Sequence, residues 1–208
     1  MGPPSSGGVL LLNMLNMLEN YSTDSLQWNS SDYVHIITEI ERRAYADRAE
    51  HMGDPDFWDV PIDMLKSKEY AKKRIHDINM RKATPSKAVY AGNADIYESP
   101  ETTHYSVVDQ WGNAVSVTTT INLSYGNGCV VEGAGFFLNN EMDDFSAKPG
   151  VPNAFGLVGN EANAISPGKR PLSSMTPTIV LKNNKPFLLV GSPGGSTIIT
   201  TTMQTILN

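Results

Sequence analysis

A single cysteine, Cys129, stands in 208 residues. It excludes an internal disulfide and any multi-cysteine metal site, and Cys129 itself reads as a small core residue. Positive charge is in deficit. Sixteen Lys and Arg face 22 Asp and Glu, for a net charge of -6 and a pI near 5.2, which argues against a nucleic-acid or anionic-membrane surface. No apolar run is long enough to span a bilayer. Residues 9–18 come nearest, but Asn13 and Asn16 interrupt them and no basic leader precedes them, so they do not read as a signal peptide. Met1-Gly2-Pro3-Pro4-Ser5-Ser6 fits a myristoylation pattern only formally, because two prolines follow the glycine. Internal repeats are missing as well. With 40% hydrophobic and 18% charged residues, the composition is that of a globular chain with room for one good core or two small ones.

What is present divides by periodicity. Residues 1–101 read as mainly helical. Ser5 or Ser6 can cap a first helix in which Leu11, Met14, Leu15 and Leu18 share a face. Asn29-Ser30-Ser31-Asp32 opens a second helix, with Val34, Ile37, Ile40, Ala44 and Tyr45 as its apolar stripe. Glu39, Glu41, Arg42, Arg43 and Glu50 are expected on its solvent side, and Gly53 ends it. Gly53-Asp54-Pro55-Asp56-Phe57-Trp58 reads as a turn plugged by two aromatics, its two acids solvated. Residues 64–78 read as another helix with a wet face of lysines. Residues 83–101 show no periodicity. From Thr103 an alternation of period two takes over. One hairpin turns at Asp109-Gln110-Trp111-Gly112-Asn113 and another across Lys182-Asn183-Asn184-Lys185. Pro193-Gly194-Gly195-Ser196 then leads into a final helix over residues 197–207.

The boundary between the halves carries the chemistry. A long structureless stretch inside a compact domain is unusual and often functional. Cleavage between Glu101 and Thr102 would give Thr102 a free α-amine beside its own hydroxyl. Threonine attacks poorly unless a base takes its proton, and a terminal amine can be that base. Taken alone, Thr102-Thr103 is equally an ordinary strand start. His104, Ser106 and Asp109 do not form a triad, since residues 104, 106 and 108 point to one face of the strand and Asp109 to the other. Asn140, Glu141, Asp143 and Asp144 are open to three readings: a hard-metal site, an ammonium site or a solvated turn. Gly194-Gly195 is open to a tight turn or an oxyanion hole. A phosphate cradle would need a lysine after the glycines, and none follows.

Four segments occur in order: Thr102-Thr103-His104-Tyr105-Ser106-Val107-Val108-Asp109, Leu138-Asn139-Asn140-Glu141-Met142-Asp143-Asp144-Phe145, Lys169-Arg170-Pro171-Leu172-Ser173-Ser174-Met175 and Gly191-Ser192-Pro193-Gly194-Gly195-Ser196. Together they closely resemble the γ-glutamyltransferase (γ-glutamyltranspeptidase, glutathione hydrolase) family of N-terminal nucleophile hydrolases, bacterial type. The resemblance runs over nearly all of the chain. It implies that residues 1–101 are the C-terminal part of a large subunit ending in a cleavable tail, and residues 102–208 the N-terminal part of a small subunit. The chain is then the middle of such a protein, and Met1 an internal methionine or a truncation start. The implied fold is α/β (α+β), a four-layer αββα sandwich of two stacked antiparallel sheets between helical layers, incomplete here. The pattern alone supports only helices first and strands second.

The resemblance also implies roles. Thr102, freed by autocatalytic cleavage at Glu101-Thr102, is the nucleophile that takes the γ-glutamyl group as an acyl-enzyme, and Thr120 hydrogen-bonds it. Gly194 and Gly195 form the oxyanion hole, where backbone N–H groups approach closely because side chains are absent. Asn122, Glu141 and Asp144 hold the substrate ammonium through charge-assisted bonds, and Ser173 and Ser174 hold its carboxylate. In the family an upstream arginine completes that clamp; Arg170 is not its counterpart by position. Residues 149–160 resemble a lid, with Phe155 where the family often has a gating tyrosine, so the ring can cover the pocket but cannot make that hydrogen bond. The implied substrate is glutathione or another γ-glutamyl compound, with water or an amino acid or peptide as acceptor. The implied assembly is a heterodimer of the two subunits, without metal, organic cofactor, nucleic acid or transmembrane segment, in the periplasm or secreted. The rival expectations are a cephalosporin (glutaryl) acylase, whose substrates lack the α-amine, and an inactive fragment.

Overall fold

The computed structural model describes residues 1–22, 26–89, 102–153 and 156–208. Its helices are α1 (Gly7–Leu18), α2 (Ser31–His51), the single turn α3 (Ile62–Leu65), α4 (Lys68–Ile75) and α5 (Ile198–Leu207). Its strands are β1 (Thr103–Val108), β2 (Ala114–Thr119), β3 (Thr178–Lys182) and β4 (Lys185–Val190). The core lies among the helices. Leu10, Met14 and Met17 of α1 pack with Ile36, Ile40 and Ala44 of α2, Leu65, Ala71 of α4, and Ile199 and Met203 of α5.

Local chemistry explains where the helices begin. Ser30 accepts the Tyr33 amide at 3.1 Å at the start of α2, and Ser67 accepts the Tyr70 amide at 3.1 Å at the start of α4. Each satisfies an amide that has no partner inside its helix. The second cap splits the helix expected over residues 64–78 into α3 and α4. The two asparagines that interrupt the apolar run of α1 have a purpose. Asn13 donates to the Leu65 carbonyl at 2.8 Å and Asn16 to the Lys66 carbonyl at 2.7 Å, so α1 closes the C-terminal end of α3.

Four expectations are corrected. Of the two serines offered as caps for α1, Ser5 accepts the Gly7 amide at 3.4 Å, whereas Ser6 makes no side-chain cap and its hydroxyl donates to the Ser173 carbonyl at 2.9 Å. Val34 of α2 is exposed, while Glu39 and Arg43 are buried and paired at 2.5 Å, with Arg43 also reaching Asp77 at 2.8 Å. Asp54 is fully buried rather than solvated, because the Arg170 backbone amide and guanidinium both donate to it. Cys129 is exposed.

The β half consists of two antiparallel hairpins, one per sheet. β1 and β2 run in register from Thr103 opposite Thr119 to Val108 opposite Ala114, and Asp109 organises their turn by accepting the Trp111 and Asn113 amides at 2.9 Å. β3 and β4 are joined through Asn183 and Asn184, at φ 53° and 59°, the left-handed pair that a two-residue hairpin loop requires. The Ser116 hydroxyl donates to the Val190 carbonyl at 3.4 Å and links the hairpins. Many strand side chains are open to solvent, Trp111 at 77% above all.

The helical core therefore sets stability. We expect Ile40→Ala to lower the unfolding free energy by about 3 kcal/mol, the range for a buried aliphatic deletion. Trp111→Ala should stay within about 0.5 kcal/mol, as surface changes do. Urea denaturation of both variants checks the contrast.

Candidate active site

The register of the first hairpin, carried one step past Thr103 and Thr119, sets Thr102 opposite Thr120. Both line a cavity with an empty volume of about 370 Å³. Asn122, Asp144, Ser173, Ser174 and Gly195 line it too, together with Leu157 and Arg48. Residues far apart in the chain thus converge on one space. Glu141 and Gly194 are close in sequence to lining residues but are not themselves in its wall. Glu101 and Phe155 lie outside the described residues, so the 101–102 bond and the tip of the lid are not among the structural observations.

Some of the lining groups can accept. Asn122 is buried at φ 74°; its side-chain nitrogen donates to the Asn140 carbonyl at 3.0 Å, which leaves its amide oxygen as an acceptor. The Leu123 amide donates to Asn140 Oδ1 at 3.0 Å, so the end of β2 is fastened to the 3₁₀ turn Glu141–Asp144. Burial, reinforced by the neighbouring Glu141 carboxyl, pushes the Asp144 carboxyl up to about 8, and Arg48 only partly offsets this. Among the described residues no three His, Cys, Asp or Glu side chains are grouped as a metal site requires.

Others can donate. The Ser173 hydroxyl oxygen accepts the Met175 amide at 3.0 Å, and the Ser174 hydroxyl oxygen accepts Arg48 Nη2 at 3.0 Å. A hydroxyl has one proton and two lone pairs. With a lone pair engaged in each, both serines keep the proton for an anion. Their loop is pinned from several sides. Ser173 bridges to the segment before α1, its amide donating to the Pro4 carbonyl at 3.1 Å and its carbonyl accepting the Ser6 amide at 2.9 Å. Arg170 anchors the loop to Asp54 and Asp56. It is not among the residues that line the cavity.

Gly194 (φ 127°) and Gly195 (φ 50°) make the turn between β4 and α5. Both angles lie where L side chains rarely go, and a Cβ on Gly194 would meet Thr197 Oγ1 at 2.7 Å. The Tyr45 hydroxyl of α2 donates to the Ser196 carbonyl and holds this turn against the helix. His104 is committed elsewhere, with Nδ1 at 2.8 Å from Thr118 and Nε2 at 3.1 Å from Ser106, while Asp109 serves its own turn.

Three residues that shape the site escape a reading of the sequence. Asn163 donates to the Asp144 carbonyl at 2.8 Å and accepts the Leu172 amide at 3.0 Å, joining the acidic turn to the serine loop. Tyr45 holds the glycine turn and Arg48 the second serine. Each sits in helical or loop sequence with no motif of its own; only the distant partner reveals the role.

Known proteins share this arrangement of elements. A cephalosporin acylase from Bacillus halodurans superposes on 100% of this chain and 34% of its own with a TM-score of 0.77 at 23% identity, a likeness of fold. A gamma-glutamyltranspeptidase mutant from Helicobacter pylori superposes on 51% of this chain and 57% of its own with a TM-score of 0.50 at 74% identity. The fold is that of the N-terminal nucleophile hydrolases, α+β as the sequence implied. The family model described as gamma-glutamyltranspeptidase matches residues 1–208, and the glutathione hydrolase proenzyme of Escherichia coli K12 is 54% identical over 208 residues. The chain belongs to the gamma-glutamyltranspeptidase family. It spans 36% of the length of that Escherichia coli relative.

The raised Asp144 carboxyl makes stability depend on pH. In the folded chain it keeps its proton to about pH 8, whereas an unfolded chain releases it near the ordinary 3.8. Its contribution is therefore full at about pH 4 and lost as the pH rises through 8. Asp144→Asn should gain on the wild type steadily over that window, as read by urea midpoints at several pH values.

Proposed function

We propose that this chain carries the catalytic centre of a γ-glutamyltransferase, acting on glutathione and other γ-glutamyl compounds. The observation that carries the reading is the single cavity that gathers Thr102, Thr120, Asn122, Asp144, Ser173, Ser174 and Gly195. An α-amino acid head is a zwitterion with both charges on one carbon, and the cavity wall holds acceptors for an ammonium and donors for a carboxylate. Threonine, glycine turn and zwitterion site together suit acyl transfer from the γ-carbonyl.

The sequence of events follows. Residues 1–101 belong to a large subunit and residues 102–208 to a small one, and the precursor cuts itself between Glu101 and Thr102. The freed amine takes the Thr102 hydroxyl proton as Oγ1 attacks the γ-carbonyl. The oxyanion that forms is met by backbone N–H groups of the Gly194–Gly195 turn. The leaving amine departs with a proton, and the γ-glutamyl group remains as an ester on Thr102. Water or the amine of an amino acid or peptide then attacks the ester and regenerates the hydroxyl. The Glu141 and Asp144 pair accepts the substrate ammonium, whose arrival favours the ionised carboxylates. Phe155 stands in the sequence where the family often has a gating tyrosine, and its side chain has no hydroxyl to make that hydrogen bond. The two subunits stay together as a heterodimer, with a periplasmic or secreted location by analogy with bacterial relatives. The described residues contain no helix long and apolar enough to cross a membrane.

The acylase fold likeness keeps a glutaryl-transferring reading in view. It differs in one respect: a glutaryl group brings no ammonium to Asn122, Glu141 and Asp144.

Intact mass spectrometry tests the reading. Expressed with its flanking coding sequence, the protein should yield a piece beginning at Thr102, and Thr102→Ala should remain uncut. Incubation with a γ-glutamyl anilide should add one γ-glutamyl mass to that piece, and a glutaryl anilide should do so at least about tenfold more slowly, the discrimination expected of a lost charge-assisted bond. Equal labelling by the two donors would overturn the choice of substrate. A cut at another residue would overturn the nucleophile.

A further inference from the structure

Arg48 is 4% exposed, yet it forms part of the cavity wall. Its Nε donates to the Ser6 hydroxyl at 3.0 Å and its Nη2 to the Ser174 hydroxyl at 3.0 Å. No carboxylate of the described residues lies within 4.0 Å of the guanidinium. Asp144 acts on it only from beyond that distance, and burying a cation with no carboxylate in contact is costly. Two neutral hydroxyls do not offset that cost as an anion would.

The hydrogen-bond directions say what the arrangement is for. A guanidinium donates and never accepts. Ser6 and Ser174 must therefore present lone pairs to Arg48, and their protons point elsewhere. The Ser6 proton goes to the Ser173 carbonyl at 2.9 Å. No described acceptor takes the Ser174 proton, and Ser174 lines the cavity. A serine free to rotate would offer a ligand its lone pairs or its proton; one held by Arg48 offers the proton.

We propose that Arg48 is a positioning residue for the ligand's α-carboxylate: it fixes the Ser174 hydroxyl as a donor into the cavity and supplies the buried positive charge that favours an anion there. This rests on the γ-glutamyl reading above. Arg48 thereby selects donors that carry an α-carboxylate over those that do not.

The test uses two donors that differ only in that group, γ-glutamyl anilide and 4-aminobutyryl anilide. The rate of Thr102 acylation is followed by intact mass on the protein expressed with its flanking coding sequence. Arg48→Met should slow acylation by the γ-glutamyl donor about tenfold or more, mainly through KM, since bonds to charged groups are worth that much. It should leave the 4-aminobutyryl donor within about twofold, as no carboxylate is there to lose its partner. Arg48→Lys should recover part of the loss, restoring charge but not the forked geometry. In a Ser174→Ala background the Arg48→Met change should cost markedly less than in the wild type, because the two act as one unit.

Equal losses with both donors, or full additivity with Ser174→Ala, would overturn the proposal and reduce Arg48 to a strut between α1 and the serine loop. If Arg48→Met does not fold, the same donor comparison and the same cycle with Arg48→Lys decide by the same criteria. A wild type that γ-glutamyl anilide fails to acylate would defeat the γ-glutamyl reading itself, and this inference with it. Acylated wild type with indiscriminate Arg48 variants would defeat this inference alone.

Discussion

A guanidinium enclosed on nearly every side sets the terms for the architecture around it. Removing a charge from water costs several kcal/mol even after relaxation, so Arg48 must be met by oriented oxygens wherever it lies. Those oxygens come from two distant segments, Ser6 ahead of α1 and Ser174 after the long irregular stretch. The demand of one side chain thus draws the first residues of the chain to its last quarter. The parallel bridge between Ser5 and Ser173 runs along the same seam.

The same helix meets its neighbours elsewhere along one line. Glu41, Tyr45 and Arg48 are spaced four and three residues apart and share a face of α2. Glu41 takes Gln204 of α5 at 3.3 Å, Tyr45 the carbonyl beside the glycine turn, and Arg48 the second serine. The glycine turn, the helix that follows it and the more distant serine loop are therefore referenced to one rigid rod. Binding constellations need side chains fixed by their supports as well as present in the wall, and here α2 is the common support. Arg48 and Asp144 then both face one cavity.

Much of this was legible in the sequence and some was not, for reasons that can be named. The hairpins could be read because Asp109 and the Asn183–Asn184 pair act locally, through their own backbone. The convergence of threonine, acids, serines and glycines could be read from four motifs in order. The polar stripes of α2 could not. Charge in a helix is ordinarily taken as its wet face, but Glu39 and Arg43 satisfy each other and Asp77, and so sit inside. Asp54 misled in the same way, its partner Arg170 being more than a hundred residues away. Periodicity reports the average environment of a face and is blind to pairing across the fold. Asn163 left no trace at all, since an asparagine in a loop looks alike whether it closes its own turn or joins the acidic turn to the serine loop.

The second residue of β1 bears on what a cut would leave behind. The His104 ring lies where a Cβ on Gly191 would stand, at 2.3 Å from that point, so only a glycine lets β1 approach the end of β4 this closely. Chain ends fray unless something ties them down. A terminus created ahead of Thr102 would be a tethered one, zipped to β2 from its next residue and wedged against β4 two residues on. Severing the backbone there would free an amine without freeing a strand, and the new end would keep the address it had before the bond was broken.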